Sequence, residues 1–94
     1  MIRFMFEEEN GFVKIVKVWN HSENLNVCAS VSTGITLSIN IIESLDLKEN
    51  IIYELKEGYF NLEILKNNSS LDKIIRSLIF MLNDLKESYP KQFK

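Results

Sequence analysis

The chain carries one cysteine and one histidine, seven residues apart in His21-Ser22-Glu23-Asn24-Leu25-Asn26-Val27-Cys28. Cys28 opens a helix-like run, Cys28-Ala29-Ser30-Val31-Ser32. An imidazole beside a thiol at a helix N-terminus is the minimal equipment of a cysteine nucleophile. A free thiol is only a few per cent ionised at neutral pH, and the positive end of a helix plus a protonated imidazole would favour the thiolate. Such a pair attacks a carbonyl carbon or another sulfur. Ser32, one helical turn beyond Cys28, falls on the same face, where it can support the sulfur or orient a neighbour. The backbone N–H groups of Cys28 and Ala29 are expected to contribute to an oxyanion hole.

The bland reading stands beside this one. In a chain of this length a lone His falls within seven residues of a lone Cys by chance roughly one time in seven. A single cysteine is most often a buried apolar residue, and a histidine at a strand end usually lies at the surface. Two soft ligands cannot close a zinc site, so neither a metal nor another cofactor is expected.

The elements that must position the pair follow from periodicity. Ile2, Phe4 and Phe6 alternate with Arg3, Met5 and Glu7, which predicts a first strand. Asn10-Gly11 is hairpin chemistry, leading into a Val/Ile-rich strand over Phe12–Asn20 that delivers His21 at its end. The polar stretch over residues 22–27 reads as a loop. Six residues extended reach about 20 Å, ample to fold Cys28 back beside His21. A helix over Cys28–Leu45 carries two apolar stripes, Val31, Ile35, Ile39 and Ile42 on one side and Leu37, Ile41 and Leu45 on another. Its first turns are thin at Ala29, Ser30, Ser32, Thr33 and Gly34, and Asn26 is the expected N-cap.

Asn50–Leu55 and Tyr59–Ile64 read as two strands joined at Glu57-Gly58. Ser69 and Asp72 resemble a capping box before a last helix that runs to about Ser88, ended by Pro90. That helix buries Leu71, Ile74, Ile75, Leu78, Leu82 and Leu85, while Ile79, Phe80 and Met81 spill onto a further face. The order β-β-α-β-β-α predicts a two-layer α+β domain over residues 1–94, helices on a small, largely antiparallel sheet. The second apolar surface on both helices predicts a homodimer packed through them. Trp19 and the phenylalanines are expected mostly in the core, and Tyr53 and Tyr59 near a groove. Glu7-Glu8-Glu9 reads as a solvated strand end, and the triplet Asn68-Ser69-Ser70 as a turn and cap.

Bulk properties bound the function. Ninety-four residues make one small domain that buries about 60–65% of its unfolded surface. Hydrophobic residues at 46% and charged residues at 26% exclude a disordered chain. A net charge of −2 with interspersed signs argues against nucleic acid and suits a basic polypeptide partner better. One cysteine forbids an internal disulfide. No signal peptide is visible and no uninterrupted apolar run approaches the roughly 20 residues of a membrane span, so the cytoplasm is the expected location.

These residues resemble the ribosomal-processing cysteine protease family known as Prp. The likeness lies in an initial hairpin, His21 at the end of its second strand, Cys28-Ala29-Ser30-Val31-Ser32 opening a helix, and then β-β-α to a short tail. The resemblance implies a cytoplasmic, commonly dimeric endopeptidase. Its substrate would be a precursor of bacterial large-subunit ribosomal protein twenty-seven, whose N-terminal extension it removes. On that analogy Cys28 is the nucleophile, His21 the base and then the acid for the leaving amine, and Ser32 a supporting residue. The substrate segment would be apolar and aromatic, followed by a basic stretch. The chain departs from the family at three points. Asn20 and Ser22 flank the His where Gly and Ala are frequent; Leu25 stands where many members have an acid three positions before the Cys; and the His–Cys loop is short and lacks glycine. The alternatives are a non-catalytic ribosome-assembly or protein-binding module with Cys28 as a buried small residue, and a redox-sensing thiol protein.

Overall fold

The alternating apolar residues build a four-stranded antiparallel sheet in the computed structural model, which describes residues 1–94. The elements are β1 (Arg3–Glu9), β2 (Phe12–Trp19), α1 (Leu25–Ser44), β3 (Ile51–Lys56), β4 (Tyr59–Ile64) and α2 (Ser69–Ser88), with the sheet ordered β1-β2-β4-β3. This is the two-layer α+β arrangement that the element order predicts. Asn10 and Gly11 both adopt positive φ, 54° and 81°, as a tight hairpin between twisted strands demands.

Register decides which residues meet the helices. Phe4 pairs with Val18, Val18 with Phe60, and Val16 with both Phe6 and Leu62, so one face of the sheet is apolar across its centre. The helices close over that face. α1 buries Val27, Val31, Ile35, Ile39 and Ile42, and α2 buries Leu71, Ile75, Leu78, Ile79 and Leu82, all within one continuous core. Gly34 lets the helices approach closely, since a Cβ there would lie 2.7 Å from the Met81 sulfur. The second stripe of α1, Leu37, Ile41 and Leu45, stays exposed, as does Phe80 on α2.

Several expectations need correction. α1 starts at Leu25, because the side chain of Asn24, not Asn26, accepts from the N–H groups of Asn26 and Val27. α2 is likewise capped one residue early, by Asn68, whose side chain accepts from Ser70 and Leu71. Asp72 is thereby released from any capping box and instead accepts the N–H of Val13 on β2 at 2.8 Å. Among the aromatic residues only Phe60 and Phe93 are buried in the core; Trp19, one step out of phase with Val18, lies half-buried on the face away from the helices. α1 is long and apolar enough, with 20 residues and a mean hydropathy of 1.5, to match a membrane span by composition. Its apolar length serves the core here, and removing it would uncover the sheet.

The C-terminal tail has a role that no sequence pattern announces. After α2 a short 3-10 turn, Pro90–Gln92, returns the chain to the N-terminus. Ile2 N–H donates to Gln92 O at 2.8 Å, Lys94 N–H donates to Ile2 O at 2.9 Å, and Phe93 is buried against Phe4 in an edge-to-face pair.

Candidate active site

The site forms where β2 ends, α1 begins and the β3–β4 turn comes alongside. Asn20, just past β2, adopts φ +73°, a left-handed conformation that asparagine tolerates better than most residues. Its N–H donates to Gly58 O at 3.0 Å, which ties the end of β2 to the β3–β4 turn. Asn20 thus holds a glycine-like conformation. The turn places the His21 ring on Gly58, itself at φ +72°. A Cβ on Gly58 would collide with Nε2 of His21 and lie 3.1 Å from both Cδ2 and Cε1.

Ser22 then turns back into the protein and is buried. It holds Cys28 from both sides: Ser22 N–H donates to Sγ at 3.3 Å, and the thiol donates to Ser22 O at 3.1 Å. Its hydroxyl accepts the N–H of Asn24 at 3.0 Å and donates to Oε1 of Gln92. Asn24 in turn caps α1. The whole His–Cys connection is therefore hydrogen-bonded at Ser22 and Asn24, with no glycine in it.

His21 and Cys28 line one groove of about 510 Å³. His21 is exposed and Cys28 half-buried. No hydrogen bond joins them; the thiol is engaged by Ser22 and the imidazole rests on Gly58. Catalytic hydrogen bonds are often unmade in unliganded enzymes, so this separation is compatible with a dyad that closes on substrate. Ile2, Val18, Val31, Ile35 and Phe60 supply an apolar floor. Ser32 and Thr36 line the helix side, and Leu55, Lys56, Glu57 and Tyr59 the side of the β3–β4 turn. Tyr59 is thus at the groove as expected, whereas Tyr53 does not line it.

The helix start changes what backbone donors are available. Cys28 is the fourth helical residue, not the second, and its N–H is already donated to Asn24 O at 3.1 Å. As the structure stands, that N–H is not free to meet an oxyanion, and Ala29 lies one residue deeper in the helix. The donor aimed at the sulfur is the N–H of Ser22. Sequence reasoning gave no site role to Ser22, Gly58 or Gln92; Gly58 left a signal as the glycine of a hairpin turn, and Ser22 as a departure beside His21.

The marked electrostatic perturbation lies away from the groove. Burial pushes the Asp72 carboxyl up, but the Val13 N–H and the Arg76 guanidinium together outweigh this and hold it below its ordinary value. Arg76 bonds Asp72 at 2.8 Å, Glu8 at 3.3 Å and Gly11 O at 3.1 Å, pinning the β1–β2 turn to α2. The charge run Glu7–Glu9 is exposed, as expected, with Glu8 in this ion pair. No three potential ligands cluster to hold a metal ion.

A family model described as "Cysteine protease Prp" matches residues 1–94. Solved structures share the fold over the whole chain. The ribosomal processing protease Prp of S. aureus in complex with a substrate peptide superposes with a TM-score of 0.87 at 21% identity, covering 100% of this chain and 96% of that one. The same protease with a covalently linked product peptide gives 0.81 at 24%, with the same coverage. SMU.848 from Streptococcus mutans gives 0.83 at 20%, covering 100% and 90%. No curated protein sequence matches at a significant level.

Proposed function

Because the chain belongs to the Prp family of ribosomal-processing cysteine proteases, we propose that it is an endopeptidase acting through Cys28 and His21 on a ribosomal protein precursor. The observation that carries this reading is that its one cysteine and one histidine line the same apolar groove, each held there by hydrogen-bonded or close-packed backbone. Residues 1–94 act as one protease domain.

In the proposed reaction the Cys28 S–H turns from the Ser22 carbonyl toward the imidazole while the sulfur stays on the Ser22 N–H, and His21 takes the thiol proton. The thiolate attacks the scissile carbonyl carbon and forms a tetrahedral intermediate. His21 returns its proton to the leaving amine as the C–N bond breaks, leaving a thioester on Cys28. Water, deprotonated by His21, attacks that thioester and releases the new carboxyl terminus with the free thiol. Ser32, on the groove wall one turn beyond Cys28, is the supporting residue, bonding the sulfur or orienting a neighbour.

The substrate proposed is the precursor of large-subunit ribosomal protein twenty-seven, cut at the end of its N-terminal extension. Apolar and aromatic residues before the cut suit the floor made by Val18, Val31, Ile35 and Phe60. A net charge of −2 suits a basic stretch after it. We place the protein in the cytoplasm, as a homodimer packed through the exposed apolar surface of both helices, Leu37, Ile41 and Leu45 on α1 and Phe80 on α2.

Incubation with the precursor, followed by mass spectrometry, tests the reading. Wild type should release one defined N-terminal peptide, and Cys28→Ser should release none while keeping its fold. Absence of cleavage by a folded wild type would favour the protein-binding module.

A further inference from the structure

We infer that Gln92, in the C-terminal tail, is a positioning residue for the Cys28 nucleophile and acts through Ser22. This rests on Cys28 being the nucleophile. Gln92 is 70 residues from Ser22 in sequence, yet its Oε1 accepts the Ser22 hydroxyl proton. The tail can hold that amide still because its backbone is bonded on both sides. Gln92 O accepts from Ile2 at 2.8 Å, Gln92 N–H donates to Tyr89 O at 2.9 Å, and the next residue, Phe93, is buried.

Ser22 converts this anchor into control of the sulfur. A hydroxyl has one proton to give, and here it goes to Gln92, which leaves an oxygen lone pair for the Asn24 N–H at 3.0 Å. With its side chain fixed at both ends, Ser22 presents its N–H and its C=O to the Cys28 sulfur. When the thiol proton leaves for His21, the contact to the Ser22 carbonyl is lost. The N–H contact becomes a charge-assisted hydrogen bond to the thiolate and strengthens. A donor already aimed at the forming charge needs no reorganisation during the reaction, and the tail amide is what keeps it aimed. Without Gln92 the Ser22 hydroxyl is free to turn, and the Ser22 peptide loses its link to the tail.

The test is a double-mutant cycle between Gln92→Met, which keeps length but removes the oxygen acceptor, and Ser22→Ala. Steady-state cleavage of a peptide from the precursor's processing segment gives kcat and KM. Iodoacetamide alkylation of Cys28 in the free protein reports the nucleophile without substrate. Each single variant should lower kcat about tenfold with KM within about twofold, and slow alkylation about threefold. The double variant should lose about tenfold, not about a hundredfold, because both changes break one chain of contacts. A multiplicative loss, a loss confined to KM, or wild-type alkylation in Gln92→Met would overturn the assignment. If Gln92→Met melts below the assay temperature, Ser22→Ala decides alone, and wild-type kcat in that variant overturns it. If wild type cleaves nothing, the proteolytic reading fails while the alkylation arm still decides: equal slowing in all three variants supports the role of Gln92, unchanged rates overturn it.

Discussion

Gly58→Ala isolates the support beneath the candidate base. Gly58 sits at φ +72°, where an L side chain is strained by about 1–2 kcal/mol, and its new Cβ would run into the His21 ring. To restore ordinary separation from Nε2, Cδ2 and Cε1 the imidazole must retreat by about 1 Å. A misplacement of about 1 Å in a catalytic group can cost roughly a hundredfold in rate. Gly11→Ala is the matched control, because Gly11 has nearly the same φ, +81°, but nothing within 4 Å of its would-be Cβ. Both variants should therefore melt lower, by roughly 4–8 °C for each kcal/mol lost in a domain of this size. At a temperature where both are folded, Gly11→Ala should keep wild-type kcat on a processing-site peptide and Gly58→Ala should lose about a hundredfold. Equal kcat values in the two variants would refute the argument that the Gly58 surface sets where His21 stands. Equal melting shifts with unequal kcat would confirm that the loss is positional.

Two further outcomes follow from the rest of the fold. Asp72 has a folded pKa held below that of the unfolded chain, so its stabilising contribution is present above the ordinary carboxylate range and fades as pH falls through the lower folded value. Asp72→Asn should cost about 1–2 kcal/mol in urea unfolding at pH 7, for the charged hydrogen bonds to Val13 and Arg76, and progressively less below about pH 4. Replacing Leu37 and Ile41 by Glu should leave the melting temperature of the protomer nearly unchanged, since both lie outside the core, but convert a dimer to monomer in light scattering. A double variant that stays dimeric would move the interface elsewhere.

Much of this architecture was legible because periodicity reports burial directly. The stripe Val31, Ile35, Ile39 and Ile42 is buried on the core side of α1, and Leu37, Ile41 and Leu45 are the exposed second stripe. That His21 and Cys28 line one groove was suggested by the run Cys28-Ala29-Ser30-Val31-Ser32 after a strand-end histidine, not by spacing alone, which chance supplies roughly one time in seven. What failed was local chemistry with near-equivalent choices. Asn24 and Asn26 are both good caps, and the choice fell to Asn24, which Ser22 already holds through its N–H. That two-residue shift moved Cys28 from the second helical position to the fourth and committed its N–H to the ladder. The tail was illegible for a different reason: a single glutamine and a buried phenylalanine after a proline carry no period, so only the fold brings Gln92 to Ser22.

The same contacts give physical content to the departures around His21. Asn20 accepts the left-handed turn that glycine would take, but with less conformational freedom in the unfolded chain, so it costs less entropy to fix. Ser22 adds a hydroxyl where an alanine would have none, and that hydroxyl has partners on both sides. The connection from His21 to Cys28 then has no glycine and is held through Ser22 and Asn24, whose bonds order it without substrate. A longer glycine-rich loop must be ordered when substrate binds, at roughly 1–2 kcal/mol per residue fixed. A loop already fixed avoids that cost, but it cannot fold over the substrate to exclude water. The groove must then provide its own shelter, and its apolar floor between α1 and the β3–β4 turn is suited to that. Under the proposed function, the short loop shifts recognition from loop closure to the groove itself.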